Sequence, residues 1–274
     1  MKGIGHRSVG RTRRLHDVWR LLSLPLLAFL TLPLIALVLY VPPAQLIVYL
    51  GDPRVRQALG LSLTTTLIAT VLSVILGTPV AGLLSQRQFR FRKLIDTLIT
   101  LPTVLPPSAA GLALLIAFGR KGLLGGWLDA VGIRLAFTPA AVMLAQIFVA
   151  SAFYIKAATI GFASIDEDMK HAARLDGAGG WQVFRYVIVP GAWVALVSGA
   201  VMTWARALGE FGATIIFAGN YPGTTQTMPL AIYIGFELDL DVALTLSVIL
   251  ITLSFLSLIV VRAILPQGQD TEGQ

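Results

Sequence analysis

Arg206 and Glu210 stand four residues apart in a stretch that is otherwise apolar from 191 to 218. On one helix that spacing brings both charges to the same face. Ionised side chains at membrane depth are costly and turn toward a bundle interior or an aqueous cavity. Two roles are open to the pair. Arg206 lends positive potential to a path for an anion, or the two charges neutralise each other and fix helix packing. A partnered arginine has less charge left for a substrate, which favours the second role. Lys156, in the apolar stretch 138–163, is expected to snorkel. Thr64, Thr65 and Thr66 offer hydroxyls to an oxyanion, although such threonines more often bond their own helix carbonyls. Ala205, Gly209 and Ala213 recur every fourth residue beside the pair, a surface on which helices approach closely. They are expected at a contact between two copies of the chain.

A second cluster lies in the polar segment 164–190, between two apolar stretches. Ser164 is the predicted cap of a helix whose first turn holds Asp166, Glu167 and Asp168, where carboxylates complement the helix dipole. Gly177, Gly179 and Gly180 end that helix and permit a tight turn. Trp181 to Val189 form a second amphipathic piece, and Pro190 starts the next span. On composition alone this segment merely connects two spans; as a helix–turn–helix on a membrane surface it can move as a unit when a partner docks. A histidine at 171 makes such a contact responsive to pH, beside its plainer reading as a solvated residue.

Other chemistry is missing from the sequence. With no cysteine there is no disulfide framework, thiol nucleophile or cysteine metal site. His6, His16 and His171 sit in basic or loop contexts that do not suit a metal centre. No Ser/His/Asp, Cys/His or HExxH constellation is present, and no Gly-x-x-x-x-Gly-Lys-Ser/Thr loop cradles a nucleotide. The chain is therefore expected not to be an enzyme and to bind no cofactor or metal.

These residues have to be held in a bilayer. Apolar residues make up 56% of the 274-residue chain and charged ones 13%, with a mean hydropathy of +0.80. A soluble domain carries roughly 25% charged residues. The net charge of +7 is placed as a membrane protein places it: Lys2, Arg7, Arg11, Arg13, Arg14 and Arg20 precede the first apolar run, and Arg87, Arg90, Arg92 and Lys93 follow the second. That is the positive-inside pattern, with attraction to anionic lipid as an added role for the first cluster. A nucleic-acid partner is not expected. The N-terminus mimics a signal peptide, but its apolar run from Leu21 to about Tyr40 exceeds the ~7–15 residues of a signal core.

A spanning helix needs ~20 mainly apolar residues. Segments near 21–41, 59–85, 94–118, 138–163, 191–218 and 242–264 qualify, so the fold class is an all-α integral membrane protein with about six transmembrane helices. The predicted layout is a basic cytoplasmic leader 1–20, a transmembrane domain 21–265 and a polar cytoplasmic tail 266–274. Loops 86–93 and 164–190 fall in the cytoplasm with both termini; loops 42–58, 119–137 and 219–241 fall outside. Arg120, Lys121 and Arg134 run against that rule in the second external loop. In the third span, Leu101-Pro102 and Leu105-Pro106-Pro107 remove helix hydrogen bonds. The result is either a broken helix facing protein or a water-lined cavity, or a simple kink with a helix starting late, near Ser108.

His171-Ala172-Ala173-Arg174-Leu175-Asp176-Gly177, with Val187-Ile188-Val189-Pro190 behind it, resembles the "EAA" loop of ABC importer permeases. Further likeness lies in Leu105-Pro106-Pro107-Ser108-Ala109-Ala110-Gly111, Arg206-Ala207-Leu208-Gly209-Glu210-Phe211-Gly212, Phe217-Ala218-Gly219-Asn220 and Pro222-Gly223-Thr224-Thr225-Gln226-Thr227-Met228-Pro229. These blocks look like molybdate-type permeases, over roughly residues 55–265. Two departures matter: His171 stands where most relatives have Glu, and Asp176 where an apolar residue is usual. The resemblance implies a type I importer permease whose segment 164–190 forms a coupling helix, with Asp168, His171, Ala172, Ala173 and Gly177 docking on the ATPase. It also implies a second copy of the chain, two ATP-binding subunits carrying ATP and Mg, an external solute-binding protein and a prokaryotic inner membrane. The substrate it implies is molybdate or tungstate, with sulfate or thiosulfate as the alternative. An ion-coupled secondary transporter also accommodates charges at mid-membrane, but it gives no reason for the spacing from 171 to 190.

Overall fold

The computed structural model describes residues 9–86 and 89–264. Lys2, His6, Arg7 and Arg87, and the expected tail 266–274, lie outside the described residues. All regular structure among the described residues is helical. The chain divides into two units, Met1–Val48 and Tyr49–Gln274.

The first unit holds α1 (Val9–Tyr40) and most of α2 (Pro43–Leu50). The apolar part of α1, Trp19–Tyr40, is long enough to span a membrane. The helix starts well before the predicted boundary at 21, so part of the basic leader is helical.

In the second unit, α3 (Pro53–Ser85) opens on Asp52, which accepts a hydrogen bond from the Arg54 N–H at 2.8 Å. Pro53 fits the first turn because its missing N–H has no helical partner there. The third span is broken. Helix α4 (Arg92–Val104) runs through Pro102, and α5 (Pro107–Phe118) restarts after a turn of 116°. Of the two proline sites only the second breaks the chain: a Pro-Pro pair disfavours helix in the residue before it and removes consecutive donors.

A short helix α6 (Gly125–Ala130) leads to α7 (Pro139–Ala163), which Thr138 caps. The polar helix α8 (Glu167–Leu175) follows. Helix α9 (Gly180–Val183) passes through a π-helical turn, Phe184–Ile188, into α10 (Val189–Leu208). After it come α11 (Gly212–Phe217), α12 (Met228–Leu238) and α13 (Leu240–Ile264). Among the described residues, five helices are long and apolar enough to cross a membrane, or six with the bent α4–α5 pair as one span. That agrees with the expected six. The fifth span, expected over 191–218, instead stops at Leu208.

Helix α7 lies against both α3 and α10, and glycines set the distance. A Cβ at Gly77 would stand 2.9 Å from Ile155 Cγ1, one at Gly161 2.6 Å from Ala195 Cβ, and one at Gly199 2.7 Å from Ala157 Cβ. Small residues let membrane helices pack backbone to backbone. The expected stripe Ala205, Gly209, Ala213 is not such a ridge. Gly209 ends α10, and Ala213 is buried on α11, where its carbonyl oxygen would be 2.7 Å from a Cβ at Gly111 of α5. Ala213 is thus covered by its own chain.

Candidate functional site: a polar surface helix and a charged helix break

Helix α8 is capped by Asp166, whose Oδ1 accepts from the Asp168 N–H at 3.0 Å. Ser164 does not cap it. Its hydroxyl donates to the Gly161 carbonyl at 2.8 Å and closes α7 instead. Glu167 and Asp168 occupy the first turn and Arg174 the last, each complementing the dipole. Lys170 is buried and donates to Glu167 Oε1 at 2.9 Å. That hydrogen bond, followed by the ammonium's charge, holds the Glu167 carboxyl below its ordinary pKa.

The helix stops because Gly177 takes φ +90°, a conformation costly to any residue with a Cβ. The Gly177 N–H then reaches Arg174 O and the Ala178 N–H reaches Ala173 O, both at 3.0 Å. This satisfies carbonyls that a helix end leaves open. On the following turn Gln182 Oε1 accepts from the Gly179 N–H at 2.7 Å.

Asp168, His171, Ala172 and Leu175 fall at helical spacing and are exposed, with Ala173 half-buried between them. Met169 and Trp181 add apolar surface, and Leu175 is 89% exposed. A face mixing charge with bare Leu and Met is suited to a protein partner.

The second constellation lies where α10 ends. Arg206 Nη1 donates to Glu210 Oε2 at 2.8 Å. The pair exists, but not along one helix face as expected, because Glu210 sits in the break between α10 and α11. Its other oxygen, Oε1, accepts from the Ala213 N–H at 2.8 Å, the first turn of α11. Glu210 is 2% exposed, and the Arg206 side chain 32%. The carboxylate is therefore buried and satisfied on both oxygens, while part of the guanidinium remains open.

Lys156 does not simply snorkel: it forms an ion pair with Asp96 of α4. The sequence signal was there, an aspartate within the apolar segment 94–118, and sequence reasoning passed over it. Thr64, Thr65 and Thr66 donate to Gly60 O, Leu61 O and Ser62 O at 2.7, 2.8 and 2.7 Å. Their hydrogens are committed to α3. Thr65 also accepts from Gln146 Nε2 at 3.2 Å, a buried bridge from α3 to α7 that the sequence did not suggest. Among the described residues no group of His, Cys, Asp and Glu is placed to hold a metal ion.

Five or six apolar spans among the described residues, with a polar, exposed helix between two of them and a charge pair at an internal break, describe a membrane-spanning protein. Residues 73–267 match the binding-protein-dependent transport system inner membrane components, and the chain belongs to that family. It is 40% identical over 258 residues to the molybdenum transport system permease protein ModB of Mycobacterium bovis, covering 93% of this chain and 98% of that protein. To the sulfate transport system permease protein CysW of Escherichia coli K12 it is 37% identical over 183 residues, covering 67% and 63%. Among solved structures, a bacterial ABC transporter importing alginate matches with a TM-score of 0.71 at 15% identity, covering 94% of this chain and 98% of that one. The fold is that of an ABC importer permease. Membership in a binding-protein-dependent family sets aside the ion-coupled reading.

Proposed function

We propose that this chain forms the translocation pathway of an ATP-driven importer for molybdate or tungstate. The observation that carries the reading is the 40% identity to a molybdenum permease along nearly the whole of both chains; the likeness to a sulfate permease covers less of either. Two copies assemble with two ATPase subunits, which hold ATP and Mg, and an external binding protein delivers the oxyanion. The assembly sits in the inner membrane with both termini in the cytoplasm.

In this reading the exposed face of α8, through Asp168, His171, Ala172 and Ala173, docks on the ATPase. Gly177 lets α8 and α9 pack as one body, so that ATPase closure moves them together and turns the pathway from one side of the membrane to the other. Arg206 and Glu210 act as a structural pair at the helix break, supported by a carboxylate with both oxygens already engaged.

The test is ATP-dependent uptake of molybdate into proteoliposomes containing this chain, its ATPase and its binding protein. Uptake blocked by excess tungstate and not by sulfate is expected. Block by sulfate assigns the substrate to the sulfate class, and uptake driven by an ion gradient without ATP overturns the reading. Gly177→Pro and Ala173→Glu are expected to abolish capture of the ATPase while membrane insertion persists. Unchanged capture in both would remove α8 from the coupling role.

A further inference from the structure

Segment 119–137 carries Arg120, Lys121 and Arg134 against a single carboxylate, Asp129. This is the segment whose charge runs against the positive-inside expectation. The structure builds it with care. A Cβ at Gly119, Gly122 or Gly125 would collide with the carbonyl oxygen of Leu115, Ile116 or Gly119 respectively. The turn is closed by the Leu123 N–H on Ile116 O at 2.8 Å and the Leu124 N–H on Ala117 O at 2.9 Å. The Ile133 N–H on Leu128 O, also at 2.8 Å, closes the far side of α6.

A cavity of about 210 Å³ lies within this frame. Leu115, Phe118, Leu128 and Leu135 form apolar wall, and Arg120 and Arg134 bring the positive charge. Phe137, also in the lining, holds a strained φ of +63°. Its N–H on Phe217 O at 3.2 Å and its ring against Tyr221 lock it there. Such strain persists only where the surroundings over-determine it, often at a ligand site.

Arg120 makes no ion pair among the described residues, and Arg134 meets Asp129 only through Nε at 3.5 Å. On and either side of α6, Leu123, Trp127 and Val131 are 82%, 80% and 69% exposed. The segment leads directly into the α7 span and so lies at a membrane surface, where tryptophan and basic residues sit at headgroup level.

We propose that this cavity is a binding site for an anionic phospholipid. Part of an acyl chain enters the apolar wall, the phosphate meets the Arg120 and Arg134 guanidiniums, and Leu123, Trp127 and Val131 sink among neighbouring lipids. An acidic protein surface would match the arginines, but it would leave unexplained an apolar cavity and exposed apolar side chains at the bilayer surface. A lipid satisfies all three.

The full chain, purified in mild detergent, is titrated with phosphatidylglycerol and phosphatidylcholine of identical acyl chains, and bound lipid is counted by native mass spectrometry. The wild type is expected to retain phosphatidylglycerol preferentially. Arg120→Gln and Arg134→Gln each lower that preference about fivefold, the worth of one basic residue near an anionic lipid surface, and together they abolish it. Both are exposed positions, so monodisperse, folded protein is expected. Leu128→Gln weakens retention of both lipids. A preference unchanged in the double variant overturns the proposal, as does displacement of phosphatidylglycerol by millimolar inorganic phosphate, which would mark a headgroup-sized anion site. An unchanged preference with lost capture of the external binding protein would assign the surface to a protein partner.

Discussion

Glu210 meets Arg206 at 2.8 Å across the end of a helix rather than along its side. The same carboxylate caps the next helix through Ala213, so one side chain fastens the end of α10 to the start of α11. Glu210→Gln keeps an acceptor for the Ala213 N–H but leaves Arg206 unpaired; Glu210→Ala removes both contacts. Breaking a fully buried pair costs about 3–5 kcal/mol; with the Arg206 side chain 32% exposed, the alanine variant is expected to lose less than that and the glutamine variant less still, read by thermal unfolding in detergent. The charge-swapped double variant restores the pair but not the cap, and should recover only part of the expression lost in the single variants. Equal loss in all three counts against a structural pair.

Lys156 and Asp96 join α7 to α4, but their side chains are 39% and 45% exposed. At that exposure an ion pair contributes about 0.2–1 kcal/mol. A double-mutant cycle with Lys156→Met and Asp96→Asn should give a coupling energy in that range. A coupling of several kcal/mol would mean that the pair is dry in the membrane.

The close approach of α7 and α10 gives a harsher outcome. Gly161→Val and Gly199→Val insert atoms where even a Cβ falls within 2.7 Å of a neighbour. Overpacking of this kind costs about 1–3 kcal/mol. Both variants should unfold at lower temperature in detergent, while Gly126→Val, with nothing near its Cβ, should not.

Glu167 titrates below its usual value because Lys170 bonds and attracts its ionised form. A depressed carboxyl stabilises the fold above its ordinary pKa, and the contribution fades as pH falls through the lowered value. Exchange of the α8 backbone amides, corrected for intrinsic rates, should therefore lose protection below the ordinary carboxylate range. Glu167→Gln should begin less protected and lack that step. A step of equal size in both would assign it to another acid.

Much of the architecture was legible because lipid imposes a simple rule on sequence: long apolar runs, with charge between them. The runs ending at Ser85 and Ala163 came out at their predicted limits for that reason. The glycine stop at 177 was legible too, since a glycine just past a polar helix readily takes the left-handed conformation that closes it. What hydropathy hides is where an apolar run breaks. Within 191–218 the charges are Arg206 and Glu210, and hydropathy alone does not say that a helix ends between them, because the residues around both are at home in the membrane. Buried pairing was hidden as well: Asp96 with Lys156 and Gln146 with Thr65 are each separated by dozens of residues, and only the packing of α7 brings them together.

From Gly180 to Leu208 the chain is helical without interruption, 29 residues through the π-helical turn. At about 1.5 Å per residue that is roughly 43 Å of nearly incompressible strut. A strut does not absorb a push; it delivers it. In the proposed coupling, movement imposed near Trp181 is carried along this helix toward Leu208, and the backbone departs from α-helix at the π-helical turn Phe184–Ile188 and again at the short stretch held by Arg206 and Glu210. On that reading, those two charges pin the far end of a long mechanical linkage, and their stiffness, as much as shape, would set how far the bundle opens for a given stroke.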